Sequence, residues 1–258
     1  VVGMLGFERL RGDDRQPGTQ VVVYKGLNRD VIDKNAKLIQ QMYNEAVKEG
    51  RLQKGDTWSG KAMQPIRSKR GNVNHIFGAD STDAGTQTQT NLAGRKSVLR
   101  MLKFLKTIPG GENASIDKMM NETATRETFR IKGESTITVR DYQKGRKFED
   151  ALCYSFYPID LHTKDGVVPK HLKRGVVPTI PRGALIPKGS RNLMVAGRCL
   201  SSDRYANSAA RVHASCMGMG QAAACTAVLA AKSSVTPQEV PLTKIHSLLR
   251  DHGAIVPA

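Results

Sequence analysis

Residues 211–225 read RVHASCMGMGQAAAC, and this stretch opens a predicted helix over residues 212–232. Glycine at 218 and 220 and alanine at 222–224 keep its side chains minimal, so the helix can pack at short distance against a sheet or a bound cofactor. The N-terminus of such a helix presents free N–H groups and a partial positive charge. The stretch therefore predicts a tightly packed helix whose first turn suits a negatively charged group.

The same stretch also matches the dinucleotide-binding fingerprint, as Gly218-x-Gly220-x-x-Ala223, with Glu239 about twenty residues further on. That fingerprint requires a strand running directly into the first glycine and a second strand after the helix. No strand-like run precedes Gly218, and residues 233–241 contain two prolines. The match is interpreted as a by-product of a helix rich in small residues.

Upstream, Asn192–Cys199 reads NLMVAGRC, a buried-type strand that runs into Gly197. A glycine at the end of a strand lets the backbone approach a flat or phosphorylated ligand closely. An ordinary strand-to-loop turn gives the same pattern, and this stretch alone favours the turn.

Two further clusters could carry chemistry. If residues 157–162, YPIDLH, form a strand, alternation places Asp160 on the same face as His162, and a carboxylate beside an imidazole raises its basicity for proton abstraction. Arg126 and Arg130 are close enough in sequence to clamp a carboxylate or phosphate. A surface Asp–His pair and a structural pairing of the arginines with Glu127 are the alternatives.

The composition limits the classes of protein. The 258 residues carry 40 Lys+Arg and 23 Asp+Glu, a net charge of +17, which indicates nucleic acid as a secondary possibility for a partner. The basic residues are spread along the chain, without the interleaved aromatic residues that stack on bases.

No run approaches about 20 apolar residues, so no membrane-spanning segment is expected. Cys153, Cys199, Cys216 and Cys225 have neither disulfide-type nor metal-type spacing, so no metal site is predicted.

Hydrophobic periodicity and turn signals predict mixed helix and strand content. The predicted helices are 33–48, 93–106, 116–121, 141–152, 212–232 and 242–250, and the predicted strands are 20–25, 135–139, 154–161, 176–180 and 192–196.

Several short motifs follow one another along the chain. They are PGGENA at 109–114, TRETFRI at 125–131, FEDA at 148–151, YPIDLH at 157–162, LIPKG at 185–189, NLMVAGRC at 192–199, SSDR at 201–204, RV at 211–212 and GQAA at 220–223. The order of these motifs resembles that of the FAD-dependent oxidoreductase family, whose members share a glutathione-reductase-like flavin domain. The resemblance covers residues 90–256 and, more loosely, 20–50.

The resemblance implies an α/β fold of two parts. Residues 1–185 would form an α+β substrate domain of mixed sheet and helices, and residues 186–258 would complete a Rossmann-like FAD-binding domain. The activity implied is hydride transfer from a small organic substrate to FAD, with His162 as the base, Asp160 as its orienting group and the arginines 126 and 130 on the substrate side.

The resemblance also assigns the cofactor contacts. The strand end at 196–199 would lie beside the flavin, and the helix that begins near Arg211 would direct its N-terminus at the pyrimidine end of the isoalloxazine ring. The residues that would bind FAD are Ala196, Gly197, Arg198, Cys199, Arg211, Val212, Gly218, Gly220 and Gln221.

Members of the family begin with a strand and a G-x-G-x-x-G loop that hold the FAD pyrophosphate, and this sequence has no such loop after a strand. We therefore expect an N-terminal FAD-binding segment outside this sequence or a partner chain that supplies it, as in a split flavoenzyme. A basic, non-catalytic module that binds nucleic acid or a larger assembly is the alternative function.

Overall fold

Helices and short strands alternate along the structure, a computed structural model that describes residues 1–167 and 169–257. The mixed content agrees with the α/β class expected from the sequence. The strands of the described chain pair as four two-stranded antiparallel sheets.

The chain folds into two compact units. The first unit consists of Val1–Asp13, Phe129–Leu161 and Val168–Ala258, and the second consists of Asp14–Thr128 and His162–Val167. The predicted division at 185/186 falls inside the first unit. The assignment of residues 1–185 to the substrate and 186–258 to the flavin stays a prediction, because it is a division by function.

The first unit is built on two sheets and four helices. Its elements are β1 (Arg9–Leu10) paired with β4 (Arg130–Ile131), β5 (Ala151–Tyr154) paired with β8 (Thr179–Pro181), and the helices α5 (Val139–Lys144), α6 (Arg204–Ala210), α7 (His213–Ser233) and α8 (Leu242–Asp251). Helix α7 packs against both β5 and α8. Buried Leu152, Ile180, Met219 and Leu249 belong to one core cluster that these elements share.

The second unit holds the remaining elements around its own core. They are β2 (Val22–Lys25) paired with β3 (Ser115–Met119), β6 (His162–Thr163) paired with β7 (Gly166–Val167), and the helices α1 (Arg29–Lys34), α2 (Ala36–Lys48), α3 (Met63–Arg67) and α4 (Ala84–Leu105). Buried Ile39, Tyr43, Val98 and Leu105 lie in the core between the helices and the β2–β3 sheet.

Several elements confirm the sequence predictions. Helix α7 differs by one residue at each end from the predicted helix 212–232, and α8 covers the predicted helix 242–250. Helix α4 begins nine residues before the predicted start at 93, because Asp83 caps it by accepting a hydrogen bond from the Thr86 N–H at 2.9 Å. The predicted helix 33–48 is two helices, which meet at Asn35.

Two predicted elements are wrong. Residues 116–121 were expected to be helical, but Ser115–Met119 forms strand β3, because β2 offers it a backbone partner, with Tyr24 opposite Ile116. The predicted helix 141–152 ends at Gly145, and Ala151–Tyr154 continues as strand β5.

The remaining predicted strands are shorter or absent. Ile137 makes only an isolated bridge with Ser202, and residues 192–196 form no regular element, although the Val195 N–H donates to the Leu185 carbonyl at 2.7 Å. Strand β8 covers part of the predicted strand 176–180.

The predicted strand 154–161 ends at Tyr154. The buried Tyr142 hydroxyl lies 2.9 Å from the Ser155 hydroxyl and donates to the Tyr157 carbonyl at 2.9 Å. Beyond Tyr154, the Ser155 N–H still donates to the Pro178 carbonyl at 2.9 Å and Ile159 forms an isolated bridge with Lys170, but residues 155–161 form no continuous strand. Asp160 and His162 therefore do not lie on one strand, so alternation along a strand cannot place them on one face.

One helix of the described residues, His213–Ser233, is long and apolar enough to cross a membrane by length and composition alone. Its many small residues give it this character although it contains no run of about 20 apolar residues, and the expectation of no membrane partner stays a prediction. One third of its most apolar part is buried inside the protein, where Met219 and Ala222 lie in the core of the first unit.

A buried ion pair organises the second unit. The Asp56 carboxylate, 1% exposed, accepts hydrogen bonds at 2.8 Å from both Nε and Nη2 of Arg100 on α4. It also accepts from the Ser97 hydroxyl at 2.7 Å and the Gln53 N–H at 2.8 Å. Such multiple donation is the condition under which a buried carboxylate is tolerated.

We expect Arg100→Ala to lower the free energy of unfolding by about 3 kcal/mol, because it leaves the Asp56 carboxylate buried with its strongest donor removed. The control is Arg51→Ala, which breaks the exposed Arg51–Glu49 pair and is expected to cost less than about 1 kcal/mol. Urea denaturation of the three proteins measures both values. Equal losses in the two variants would contradict a structural role for the buried pair.

Candidate functional site

Two buried histidines form a hydrogen-bonded pair in the second unit. Nε2 of His75 lies 2.7 Å from Nδ1 of His162, and the ring planes are inclined by 70°. His75 is 4% exposed and His162 is 8% exposed. The bond requires a proton on one of the two nitrogens and a lone pair on the other, so the pair can hold one positive charge but not two while it persists.

Local structure positions each member of the pair. The His75 N–H donates to the Gly55 carbonyl at 2.7 Å, and a Cβ added at Gly55 would lie 2.4 Å from the His75 carbonyl oxygen. Glycine at 55 is therefore required for this close approach. His162 begins the short strand β6, and its N–H donates to Oε1 of Gln16 at 3.3 Å. Gln16 in turn donates through Nε2 to the buried Glu127 carboxylate at 3.3 Å.

A cavity of about 780 Å³ adjoins this pair, and His75 forms part of its wall. Its other lining side chains combine basic, aromatic and hydroxyl groups. The residues that line the cavity are Lys54, Thr57, Trp58, Ser59, Gly60, Lys61, Met63, Gln64, Arg67, Ser68, Phe77, Lys164, Asp165, Gly166 and Val167. This cavity is large enough for a small organic molecule.

Asp160 lies in the first unit, whereas His162 lies in the second. The Asp160 carboxylate is 3.7 Å from Nη2 of Arg211, the same Nη2 donates to the Asp160 carbonyl at 3.2 Å, and the Asp160 N–H donates to the Ser208 hydroxyl at 3.2 Å. In the structure, the ring nitrogen Nδ1 of His162 is hydrogen-bonded to Nε2 of His75. The orienting role of Asp160 stays a prediction.

The two predicted substrate arginines also belong to different units. Arg126, in the second unit, donates to the Pro17 carbonyl and, from Nη2, to the Asn72 side chain at 3.4 Å. Arg130, in the first, donates from Nε to the Ser202 carbonyl at 3.0 Å. Both side chains are buried, and these bonds join each guanidinium to a distant part of the chain within its own unit. Their joint action on an anion stays a prediction.

The residues predicted to bind the flavin lie in the first unit, and five of them are drawn together where α6 meets α7. The Arg198 carbonyl accepts from the Asn207 side chain on α6 at 2.9 Å. The Cys216 thiol donates to the Arg211 carbonyl at 3.2 Å and lies 3.8 Å from the position of a Cβ at Gly197. The predicted residues grouped here are Ala196, Gly197, Arg198, Cys199 and Arg211.

The other predicted flavin residues lie along α7. Val212 precedes its first turn, and no side chain caps that turn. Val212, Gly218 and Gln221 line a cavity of about 790 Å³ that is also lined by Cys153. No atom lies within 4 Å of a Cβ placed at Gly220. Gly218 and Gln221 project from α7 in a different direction from Cys216, because successive residues turn by about 100° around a helix.

The thiols near this cluster are not activated nucleophiles. Burial raises the pKa of Cys199 and of Cys216 above the usual thiol value, although the charge of Arg198 opposes the rise in both. Burial raises the pKa of Cys153 to about 12. All three are thiols at neutral pH, so the cluster offers sulfur for packing and weak hydrogen bonds.

The groups around Gly197 can be compared with what a flavin ring needs. Gly197 is half-buried and has a φ of +91°, a conformation that favours glycine, so its backbone carries no side chain that would keep a ligand away. The uncapped first turn of α7 offers N–H donors, and Arg198 adds positive charge. These groups suit the ring edge that becomes negative on reduction, so the residues fit FAD.

His75, Gln16 and Trp58 lie in no motif that predicts a function for them. The two histidines are 87 residues apart, and neither the spacing nor the polar composition of residues 51–92 predicts their contact. A residue pair of this kind becomes visible only when the fold brings β6 beside the segment around His75.

The comparisons with known proteins identify the family of the chain. A family model described as FAD dependent oxidoreductase matches residues 8–249, a range that includes the histidine pair and the cluster around Gly197. No curated protein and no solved structure matches the chain. The match confirms the resemblance inferred from the motifs and supports FAD as the cofactor. With the match covering almost its whole length, the chain belongs to the FAD-dependent oxidoreductase family.

Proposed function

We propose that this protein oxidises a small organic substrate by hydride transfer, with the His75–His162 pair as the proton acceptor. The observation that carries the proposal is the 2.7 Å bond between these two buried rings, one of which lines a ligand-sized cavity. Bound FAD supplies the two-electron acceptor for the hydride. Family membership does not favour the alternative of a basic, non-catalytic binding module.

The histidine pair performs the proton half of the oxidation. As the substrate loses a hydride from carbon, its hydroxyl or amino group loses a proton, and a carbon–oxygen or carbon–nitrogen double bond forms. An imidazole that accepts this proton becomes cationic, and its N–H then donates to the lone pair of the other ring. The 2.7 Å bond thus spreads the charge over both rings and fixes their orientation.

We assign supporting roles to the other predicted residues. Asp160 would fix the segment that leads to His162, through its contacts with Arg211 and Ser208. Arg126 and Arg130 would anchor the chain on either side of Phe129 and would contribute positive charge on the substrate side.

We assign FAD binding to the first unit, and we propose that its residues 186–258 complete a Rossmann-like domain. Residues 196–199 with Arg211 and Val212 would hold the ring. The first turn of α7 would stabilise the negative charge gained on reduction. Gly218, Gly220 and Gln221 would support the cofactor from along the helix.

The pyrophosphate of FAD requires a further binding loop. Gly218 and Gly220 lie inside α7, which begins five residues before Gly218, so they cannot form the phosphate-binding turn of a dinucleotide fingerprint. We propose that residues outside this sequence, on the same chain or on a partner, supply that turn.

His162→Ala is expected to slow flavin reduction by a factor of about 10²–10⁴, the usual contribution of a positioned general base. His171→Ala, which changes an exposed histidine, is the matched control and should leave the rate unchanged. Stopped-flow absorbance of the flavin band under anaerobic conditions measures the rate. A normal rate in His162→Ala would remove the catalytic assignment.

Gly197→Ala is expected to weaken FAD binding by about tenfold, because a side chain at a φ of +91° costs about 1–2 kcal/mol or shifts the backbone of residues 196–199. Gly12→Ala is the control, since no atom lies within 4 Å of a Cβ placed at Gly12. Flavin fluorescence titration gives the dissociation constants. Unchanged FAD affinity in a folded Gly197→Ala protein would exclude residue 197 from the cofactor contacts.

FAD affinity should depend on a segment that binds the pyrophosphate. These 258 residues alone should bind FAD at least about 100-fold more weakly than the same residues joined to, or mixed with, a G-x-G-x-x-G segment. Equilibrium dialysis against FAD measures both affinities. Equally tight binding by the 258 residues alone would show that the sequence contains its own phosphate site.

A further inference from the structure

We propose that the 780 Å³ cavity of the second unit binds a small organic acid, with its carboxylate among the lysines and its apolar part against Trp58. That an organic acid binds here is argued from the cavity lining alone. That this acid is the substrate rests on the proposed function, because it requires His75 to take part in proton transfer.

The charges around the cavity are strongly unequal. Its lining contains four cationic side chains, Lys54, Lys61, Arg67 and Lys164, but a single carboxylate, Asp165. Two of the cations are already paired, since Lys54 lies 3.3 Å from Asp165 and Arg67 lies 2.7 Å from Asp33. The cavity therefore keeps a positive excess after these pairs are counted.

Lys61 and Lys164 supply that excess. Neither has a carboxylate within 4.0 Å among residues 1–167 and 169–257, and both are exposed. An ammonium group on a flexible stem can move toward an anion that enters the cavity. The expected ligand is therefore anionic, and its binding should weaken as salt is added.

Trp58 gives the cavity a fixed apolar wall. Its backbone N–H donates to the Val73 carbonyl at 2.9 Å, and its indole N–H donates to the Asn72 carbonyl at 3.2 Å. The indole is thereby oriented and its only donor is already used, so the ring offers a ligand apolar surface. Phe77 adds a second aromatic side chain to the lining.

His75 gives the cavity its reactive side. Its ring lies 5.9 Å from the Phe77 ring, centroid to centroid, and bonds to His162 on the other side. A ligand with its carboxylate at Lys61 and Lys164 and its apolar part at Trp58 would direct its remaining hydroxyl or amino group to His75. The substrate class is thus an organic acid that carries an oxidisable alcohol or amine.

The test uses cyclohexanecarboxylate as the probe, with cyclohexanecarboxamide as the neutral analogue of the same shape. Calorimetric titration should give a dissociation constant at least about tenfold lower for the acid than for the amide, because only the acid meets the lysines. Trp58 is the only tryptophan of the chain, so its fluorescence reports whether the probe occupies this cavity. Inorganic phosphate, which has no apolar part, should bind more weakly than the acid.

Lys61→Ala/Lys164→Ala is expected to remove the preference for the acid over the amide. Its control, Lys96→Ala/Lys118→Ala, removes the same charge from exposed positions outside the cavity lining and should retain the preference. His162→Ala should bind the acid normally while it reduces flavin about 10²–10⁴-fold more slowly, which separates this proposal from the catalytic one.

Four results would overturn the proposal: equal affinities for acid and amide, phosphate binding as tight as that of the acid, an unchanged preference in Lys61→Ala/Lys164→Ala, or acid binding that leaves Trp58 fluorescence unaltered.

Discussion

The Asp56 carboxylate, buried against the Arg100 guanidinium, is the constraint on which the second unit depends. It fixes the chain between Gln53 and Trp58, and therefore both the Gly55 carbonyl that holds His75 and the indole that lines the cavity. Its charge also adds to the effect of burial in raising the pKa of Tyr24 and Tyr43. Both phenols stay protonated, and the Tyr43 hydroxyl lies 2.8 Å from that of Thr57, beside the same segment.

Local sequence signals predict those elements that depend mainly on local interactions. Helices α7 and α8 and strand β2 follow their hydrophobic patterns closely. Residues 116–119 show the limit, because a short amphipathic segment becomes a strand when a distant strand is available to pair with it. Residues 155–161 show another, since their backbone pairs with distant residues at separate points, Ser155 with Pro178 and Ile159 with Lys170, and not along one continuous strand.

The candidate site likewise has a part that the sequence predicts and a part that it does not. The motif order predicts the family and therefore FAD, and the residues near Gly197 that it singles out come together at the start of α7. The partner of His162 could not be predicted, because His75 has no motif around it and is separated from His162 by 87 residues. Trp58, Lys61 and Lys164 lie on loops, where side-chain placement depends on tertiary contacts such as the Asp56–Arg100 pair.

The interleaving of the two units sets the order in which the chain can fold during synthesis. Almost all of the second unit lies within Asp14–Thr128, so its core can form as soon as that continuous stretch has left the ribosome. The first unit must wait, because Arg9–Leu10 pairs with Arg130–Ile131 and the Ile131 N–H donates to the Cys199 carbonyl. Contacts of such long sequence separation close slowly. The second unit can thus form first as a folded insertion, while residues 1–13 remain without their partners until residues 129–132 have been made.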